Sequence, residues 1–157
     1  MIKLKIQDQN IPISCSKVIC IFPAESEIVV TPAYRYFFKP PSSLTIAAAE
    51  FHEGLGELEG TISLVTVIGK MGKGIEGEEI SSHILGYTFG VGLCVKTMKE
   101  EAMELGLPWS RSEGLDNFAL VAPVLIPEHN MDISKINLEM FIKGEKKKDL
   151  LLSFEQN

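Results

Sequence analysis

The run Thr61–Ile68, TISLVTVI, does most to limit what this chain can fold into. Six of its eight residues are β-branched, and such side chains suit a pleated surface better than a helix. The spacing directs Ile62, Leu64 and Ile68 to one side, or buries both faces. Gly69, Gly72, Gly74 and Gly77 follow and mark an irregular loop. A chain built around such a strand needs partner strands, and several short runs offer them. Ile2–Ile6 alternates. Val18–Phe22 ends at Pro23, Glu27–Val30 at Pro32, and Tyr34–Phe38 at Pro40-Pro41. Two successive prolines exclude a helix interior and a central strand, so Lys39–Ser43 reads as a rigid loop. Tyr87–Val95, Ala119–Ile126 and Ile136–Ile142 read as further strands, with Gly90 and Gly92 marking bulges or close backbone approach. Lys143-Gly144-Glu145 reads as a hairpin turn into Leu150–Phe154.

Helices are few. Thr97–Leu105 is amphipathic, with Met98, Ala102 and Leu105 at i, i+4 and i+7. Gly106 suits a left-handed position just past its end, and Pro108 forbids continuation. Trp109, the one tryptophan, reads as a core anchor covering that helix end. Glu78–Leu85 reads as a second helix, with Ile80 and Ile84 at i, i+4, acids in its first turn, and His83 at the surface. The expected class is α+β, mostly β, with two short helices.

At 157 residues the chain reads as one domain. Formal net charge is -6, and no basic face of the kind a nucleic-acid binder needs is evident. Lys146-Lys147-Lys148 reads as a solvated turn. Three cysteines, Cys15, Cys20 and Cys94, cannot all pair within one chain and read as reduced thiols. The polar start MIKLKIQDQN is neither a signal nor a transit pattern. No apolar run approaches the roughly 18 residues of a membrane span. The expected location is cytoplasmic, with mitochondrial as the alternative, and neither membrane nor nucleic acid is an expected partner.

Generic catalytic motifs add little. Gly69–Gly74 lacks the spacer and the Ser/Thr of a phosphate loop. His52, His83 and His129 have no metal-ligand spacing, and no G-x-S-x-G is present. Glu57 and Glu59 could present two carboxylates on one side of an extended segment, though among 21 acids a solvated loop is the simpler reading.

Six segments in register carry more. They are FFKPPSS (Phe37–Ser43), VIGK (Val67–Lys70), LGYT (Leu85–Thr88), EEAMELGLPW (Glu100–Trp109), SEGLDNF (Ser112–Phe118) and INLEMFIKGE (Ile136–Glu145). Together they resemble the fumarylacetoacetate hydrolase superfamily, in its acylpyruvase-like (fumarylacetoacetate hydrolase domain-containing) branch, from about Val18 to Glu145. The resemblance implies a mixed β-roll with short helices packed outside. It divides the chain into a strand and linker over 1–17 and a family-like domain over 18–157, lacking the family's C-terminal segment. It also implies Mg²⁺ or Mn²⁺ chemistry on 2-oxo and β-diketo acids, the metal acting as a Lewis acid for the enolate formed on C–C cleavage.

The same resemblance places the family's three acidic ligands at Thr61, Ser63 and Gly92, and the family's lysine at Glu113. Two hydroxyls and a hydrogen do not replace carboxylates around a hard dication, and at Glu113 a substrate carboxylate is expected to be repelled. The family's glycine-asparagine-tyrosine segment with its His/Glu pair is missing from IFPAESE, where Glu25 or Glu27 could stand for the glutamate alone. A four-residue slip would bring Glu57 and Glu59 to the metal, at the cost of disturbing strand register. Lys39, Tyr87 and Asp116 are the substrate-pocket candidates.

The reading that follows is a degenerate, non-catalytic homologue acting as a subunit or interaction module, with no cofactor. The expected partner is a second copy or an intact paralogue. The alternative is an active Mg²⁺- or Mn²⁺-dependent hydrolase, decarboxylase or isomerase of 2-oxo acids.

Overall fold

A computed structural model of the chain describes residues 2–6, 9–21, 36–46, 54–132, 136–142 and 144–151. In chain order these form β1 (Ile2–Ile6), β2 (Gln9–Ile13), β3 (Val18–Ile21), β4 (Tyr36–Lys39), β5 (Leu44–Thr45), β6 (Leu58–Ile68) and β7 (Ile84–Val95). Then follow α1 (Lys96–Glu104), α2 (Ser110–Glu113), β8 (Ala119–Val121), β9 (Ile126–Pro127), β10 (Asn137–Ile142) and β11 (Glu145–Leu151). The largest sheet has the order β5-β8-β7-β6, with β9 also on β7; β1-β2, β3-β4 and β10-β11 form two-stranded ribbons. The mostly β expectation holds.

The chain divides into two compact units. The first comprises Met1–Ile2, Ile13–Gly60 and Gly92–Leu120; the second comprises Lys3–Pro12, Thr61–Val91 and Val121–Asn157.

In the first unit, β3 and β4 pair antiparallel, Ile19 opposite Phe38 and Ile21 opposite Tyr36. β5 lies parallel to β8. The Pro40-Pro41 loop is a single 3-10 turn, Pro41–Ser43. At the start of α1 the Lys96 amide donates to the Glu57 carbonyl (2.8 Å), which satisfies one of the open helix donors. The end of α1 is a Schellman motif around Gly106, whose φ is +65°. Gly106 N–H donates to Met103 O (3.1 Å) and Leu107 N–H to Ala102 O (2.7 Å), as the Gly-Leu-Pro signal implies. The apolar stripe does less than expected. Met98 and Ala102 are half-buried, and Leu105 is exposed. This unit's core holds Cys94, Val95, Phe118 and Ala119 together with Lys39, Ser43, Ser112 and Glu113.

In the second unit Leu4, Tyr87, Val121, Leu125 and Ile136 are buried. Lys5 N–H donates to Pro123 O and Leu125 N–H to Lys5 O, which ties β1 to the segment before β9. A Cβ on Gly86 would collide with the Ile126 carbonyl, so this glycine permits the approach of β9 to β7. β10 and β11 form a hairpin that turns at Gly144, φ +81°, as expected. The second strand begins at Glu145 rather than Leu150, so Lys146-Lys147-Lys148 lie in β11 and not in a solvated turn. Residues 152–154 lie outside the described residues.

Several expectations need correction. Glu78–Leu85 is not a helix: Gly77–Glu79 and Ser81–His83 are 3-10 turns, and Ile84 already begins β7. The β-branched and aromatic run after it claims the backbone for the sheet. His83 is buried, not exposed. Its Nδ1 lies 3.1 Å from both Glu79 O and Ser82 Oγ, and its Nε2 packs close to Gly72. Ala119–Ile126 is two strands, because Pro123 interrupts the run. The linker contains β2. Ile68 is exposed, and along β6 no residue is fully buried. Glu27–Val30, Glu25, Tyr34 and His52 lie outside the described residues.

Candidate functional site

Two of the sequence segments, FFKPPSS and SEGLDNF, are brought together within the first unit. The Pro-Pro turn is the reason. Ser43 Oγ donates to Leu115 O (2.7 Å), and Asn117 N–H to Ser42 O (3.3 Å). Asn117 holds φ +65°, the one positive value at a non-glycine among the described residues; asparagine tolerates this better than most side chains. Ser112 Oγ donates to Trp109 O (2.6 Å), fixing the first turn of α2. A Cβ at Gly114 would press on Ser110 O (3.0 Å) and on the Pro40 ring (3.4 Å). α2 is therefore set against the end of β4.

This packing buries an ion cluster. Lys39, last in β4, is 2% exposed and Glu113, last in α2, is 4% exposed. Lys39 Nζ donates to Glu113 Oε2 (3.0 Å), to Glu113 O (2.5 Å) and to Leu93 O (2.8 Å). An ammonium has three protons, and all three are taken by protein acceptors. Glu113 Oε1 accepts from Lys99 Nζ of α1 (3.2 Å). Aromatic faces complete the surroundings. Lys99 Nζ lies 5.4 Å from the Trp109 ring centre and Lys39 Nζ 5.7 Å from that of Phe37. Phe37 and Trp109 meet edge to face at 5.4 Å; Trp109 is half-buried rather than the core anchor expected at the helix end.

Two thiols feel this cluster. Burial pushes the Cys20 thiol up, opposed by the Lys39 charge and reinforced by Glu113. Burial also raises Cys94, with Glu113 adding to it and Lys99 opposing. Cys94 Sγ is 4.0 Å from Glu59 Oε2.

The repulsion expected at Glu113 assumed an unpaired carboxylate, and in the structure the carboxylate is paired. Its carboxylate does not face solvent as a bare negative charge, because two ammonium groups hold it. Asp116 is exposed in the turn after α2. Tyr87 lies buried in the second unit, its phenol raised by burial and, secondarily, by Glu128. Sequence reasoning missed Lys99 and Cys94, which reach the cluster from α1 and β7. No local spacing links them to Lys39, so no pattern could have found them.

The donor chemistry does not fit the divalent metal that the resemblance implies. Thr61 is exposed and Ser63 half-buried in the second unit, and Gly92 belongs to the first. Hydroxyls and a glycine offer no anionic oxygen to a hard cation. Glu57 is instead paired with Lys96 (3.4 Å). Among the described residues, no group of three or more His, Cys, Asp or Glu could hold a metal ion. No helix among them is long and apolar enough to cross a membrane.

Residues 21–153 match the family described as Fumarylacetoacetate (FAA) hydrolase C-terminal. An uncharacterized protein of Pyrococcus abyssi is 28% identical over 111 residues, 69% of this chain and 49% of its own length. The mitochondrial oxaloacetate decarboxylase of Dictyostelium discoideum is 24% identical over 113 residues, 70% of this chain and 52% of its own. The chain thus spans about half the length of the curated relatives it matches. A Yersinia pestis CO92 structure, assigned to the fumarylacetoacetate hydrolase family, superposes with TM-score 0.81 at 21% identity, covering 96% of this chain and 72% of that one. Fumarylpyruvate hydrolase from Pseudomonas aeruginosa, solved in complex with Mn²⁺ and pyruvate, gives 0.75 at 23% identity, covering 95% and 70%. On the extent of the family match and on the shared fold, this chain belongs to the fumarylacetoacetate hydrolase family.

Proposed function

We propose that this chain is a non-catalytic member of the family, acting as a subunit rather than as an enzyme. One observation carries the reading. The residue at the family's lysine position, Glu113, is buried between Lys39 and Lys99, which take one carboxylate oxygen each. The position is given over to holding the core together. Thr61, Ser63 and Gly92 at the ligand positions support the same reading. Related proteins act on oxaloacetate or bind Mn²⁺ and pyruvate, and this chain keeps their framework without the side chains that such chemistry needs.

The subunit role has its own support in the first unit. Ile19, Ile21, Tyr36 and Phe38 are all exposed and share one face of the β3–β4 ribbon, since they are alternate residues in paired register. Tyr36 and Phe38 meet edge to face at 5.6 Å. A cluster of large apolar side chains on a surface marks an interaction site. The four carry no charge, so a second copy of this chain can meet them without repulsion, as a two-fold contact requires.

A Mn²⁺ titration followed by the free-ion EPR signal tests the reading. No binding up to millimolar Mn²⁺ is expected, with no turnover of oxaloacetate or fumarylpyruvate above background. Low-micromolar binding that disappears in Glu57→Gln/Glu59→Gln would overturn it and establish the slipped register. Sedimentation tests the subunit role: the wild type should self-associate with rising concentration and Ile21→Glu should not.

A further inference from the structure

The Lys39–Glu113–Lys99 cluster contains two cations and one anion. The second lysine is not needed to neutralise Glu113, and the pairing as it stands leaves one positive charge in excess. Each carboxylate oxygen takes one ammonium, Oε2 from Lys39 at 3.0 Å and Oε1 from Lys99 at 3.2 Å. That is how a protein grips a free carboxylate: two charge-assisted donors, one per oxygen. Here the donors come from separate elements, β4 and α1, and each is steadied independently of Glu113's carboxylate. Lys39 is anchored by Leu93 O and Glu113 O. Lys99 lies over the face of Trp109, and its side chain is 21% exposed, so the cluster is open to solvent on that side.

We propose that Lys39 and Lys99 constitute a carboxylate-binding site that this chain keeps filled with its own Glu113 side chain. The ligand class is a small monocarboxylate. Glu113 occupies the site as a tethered ligand, at high effective concentration. The inference stands on this geometry whether or not the chain turns over a substrate.

The size of the ligand follows from the side chain. Glu113→Ala removes Cγ, Cδ and two oxygens, and acetate has those same four heavy atoms. Removing one partner from a buried ion pair leaves uncompensated charge, so the variant should melt about 6–20 °C below wild type. Acetate at about ten times its dissociation constant should restore roughly 3–6 °C by mass action. Equal concentrations of chloride, which supplies charge without the two oxygens, should restore less. Butyrate, too long for the space, should also restore less. Wild type should not respond, nor should Glu113→Ala/Lys99→Met, where one donor is gone. If the variant is unfolded as purified, refolding from urea is compared in acetate and in chloride. Recovery in acetate alone supports the site. Equal recovery in both salts, or none in either, overturns it. So does an acetate effect that survives loss of Lys99.

Discussion

Two lysine–glutamate pairs lie in the same unit and behave as opposites. Lys39–Glu113 closes at 3.0 Å with side chains 1% and 6% exposed, whereas Lys96–Glu57 closes at 3.4 Å with side chains 41% and 64% exposed. The charges are of the same kind, and burial decides what each pair can do. Around Lys96–Glu57, water and salt screen the attraction, and breaking it costs little. Around Lys39–Glu113 neither partner can be rehydrated in place, so each holds the other. The exposed pair decorates a surface. The buried pair binds β4 to α2 and takes two side chains away from any ligand.

The sharpest way to break this contrast is to reverse the buried charge. Glu113→Lys, which would recreate the family's residue, places three ammonium groups together. It should abolish cooperative folding, as seen by near-ultraviolet circular dichroism. Lys39→Met comes next, with a loss of about 3–5 kcal/mol in urea unfolding because Glu113 is left half-paired in the core. Lys99→Met should cost less, about 1–3 kcal/mol, since its side chain is partly exposed and gives up one charged hydrogen bond. Glu57→Gln should cost under about 1 kcal/mol, and that small loss should vanish in high salt.

The thiols extend the comparison into pH. Cys20 and Cys94 have pKa values raised above the usual 9.0, chiefly by burial. A raised folded value means the unfolded chain loses its proton first as pH climbs. Their contribution to stability is therefore complete below about pH 9 and is lost as pH rises through the folded values. Melting temperature should fall over that alkaline range. Replacing Cys94 by Ala should remove part of the fall. At pH 8 a thiol reagent should label Cys20 and Cys94 more slowly in the folded protein than in urea.

What could be read from the residues divides along local and non-local lines. Gly106-Leu107-Pro108 specifies a Schellman stop within a few residues, and the structure has one. Thr61–Ile68 is a strand, and Gly144 turns a hairpin, for equally local reasons. Glu78–Leu85 misled because its helical spacing covers only two apolar residues, while the sheet gains the longer run from Ile84 onward. The site was legible only in part. The resemblance drew attention to Glu113 and to the ligand positions. It could not show that Lys39, 74 residues away in sequence, lies against Glu113, nor that Lys99 completes the cluster. Those contacts depend on how the Pro-Pro turn seats α2.

A double-mutant cycle tests the central claim, that Glu113 is committed to the core. Unfolding free energies would be measured for Lys39→Met, Glu113→Gln and their combination, and in parallel for Lys96→Met, Glu57→Gln and theirs. The account predicts a coupling above about 1.5 kcal/mol for the buried pair and below about 0.5 kcal/mol for the exposed one. Equal couplings would contradict it, since Glu113 would then be no more tied to Lys39 than a surface carboxylate is to its neighbour.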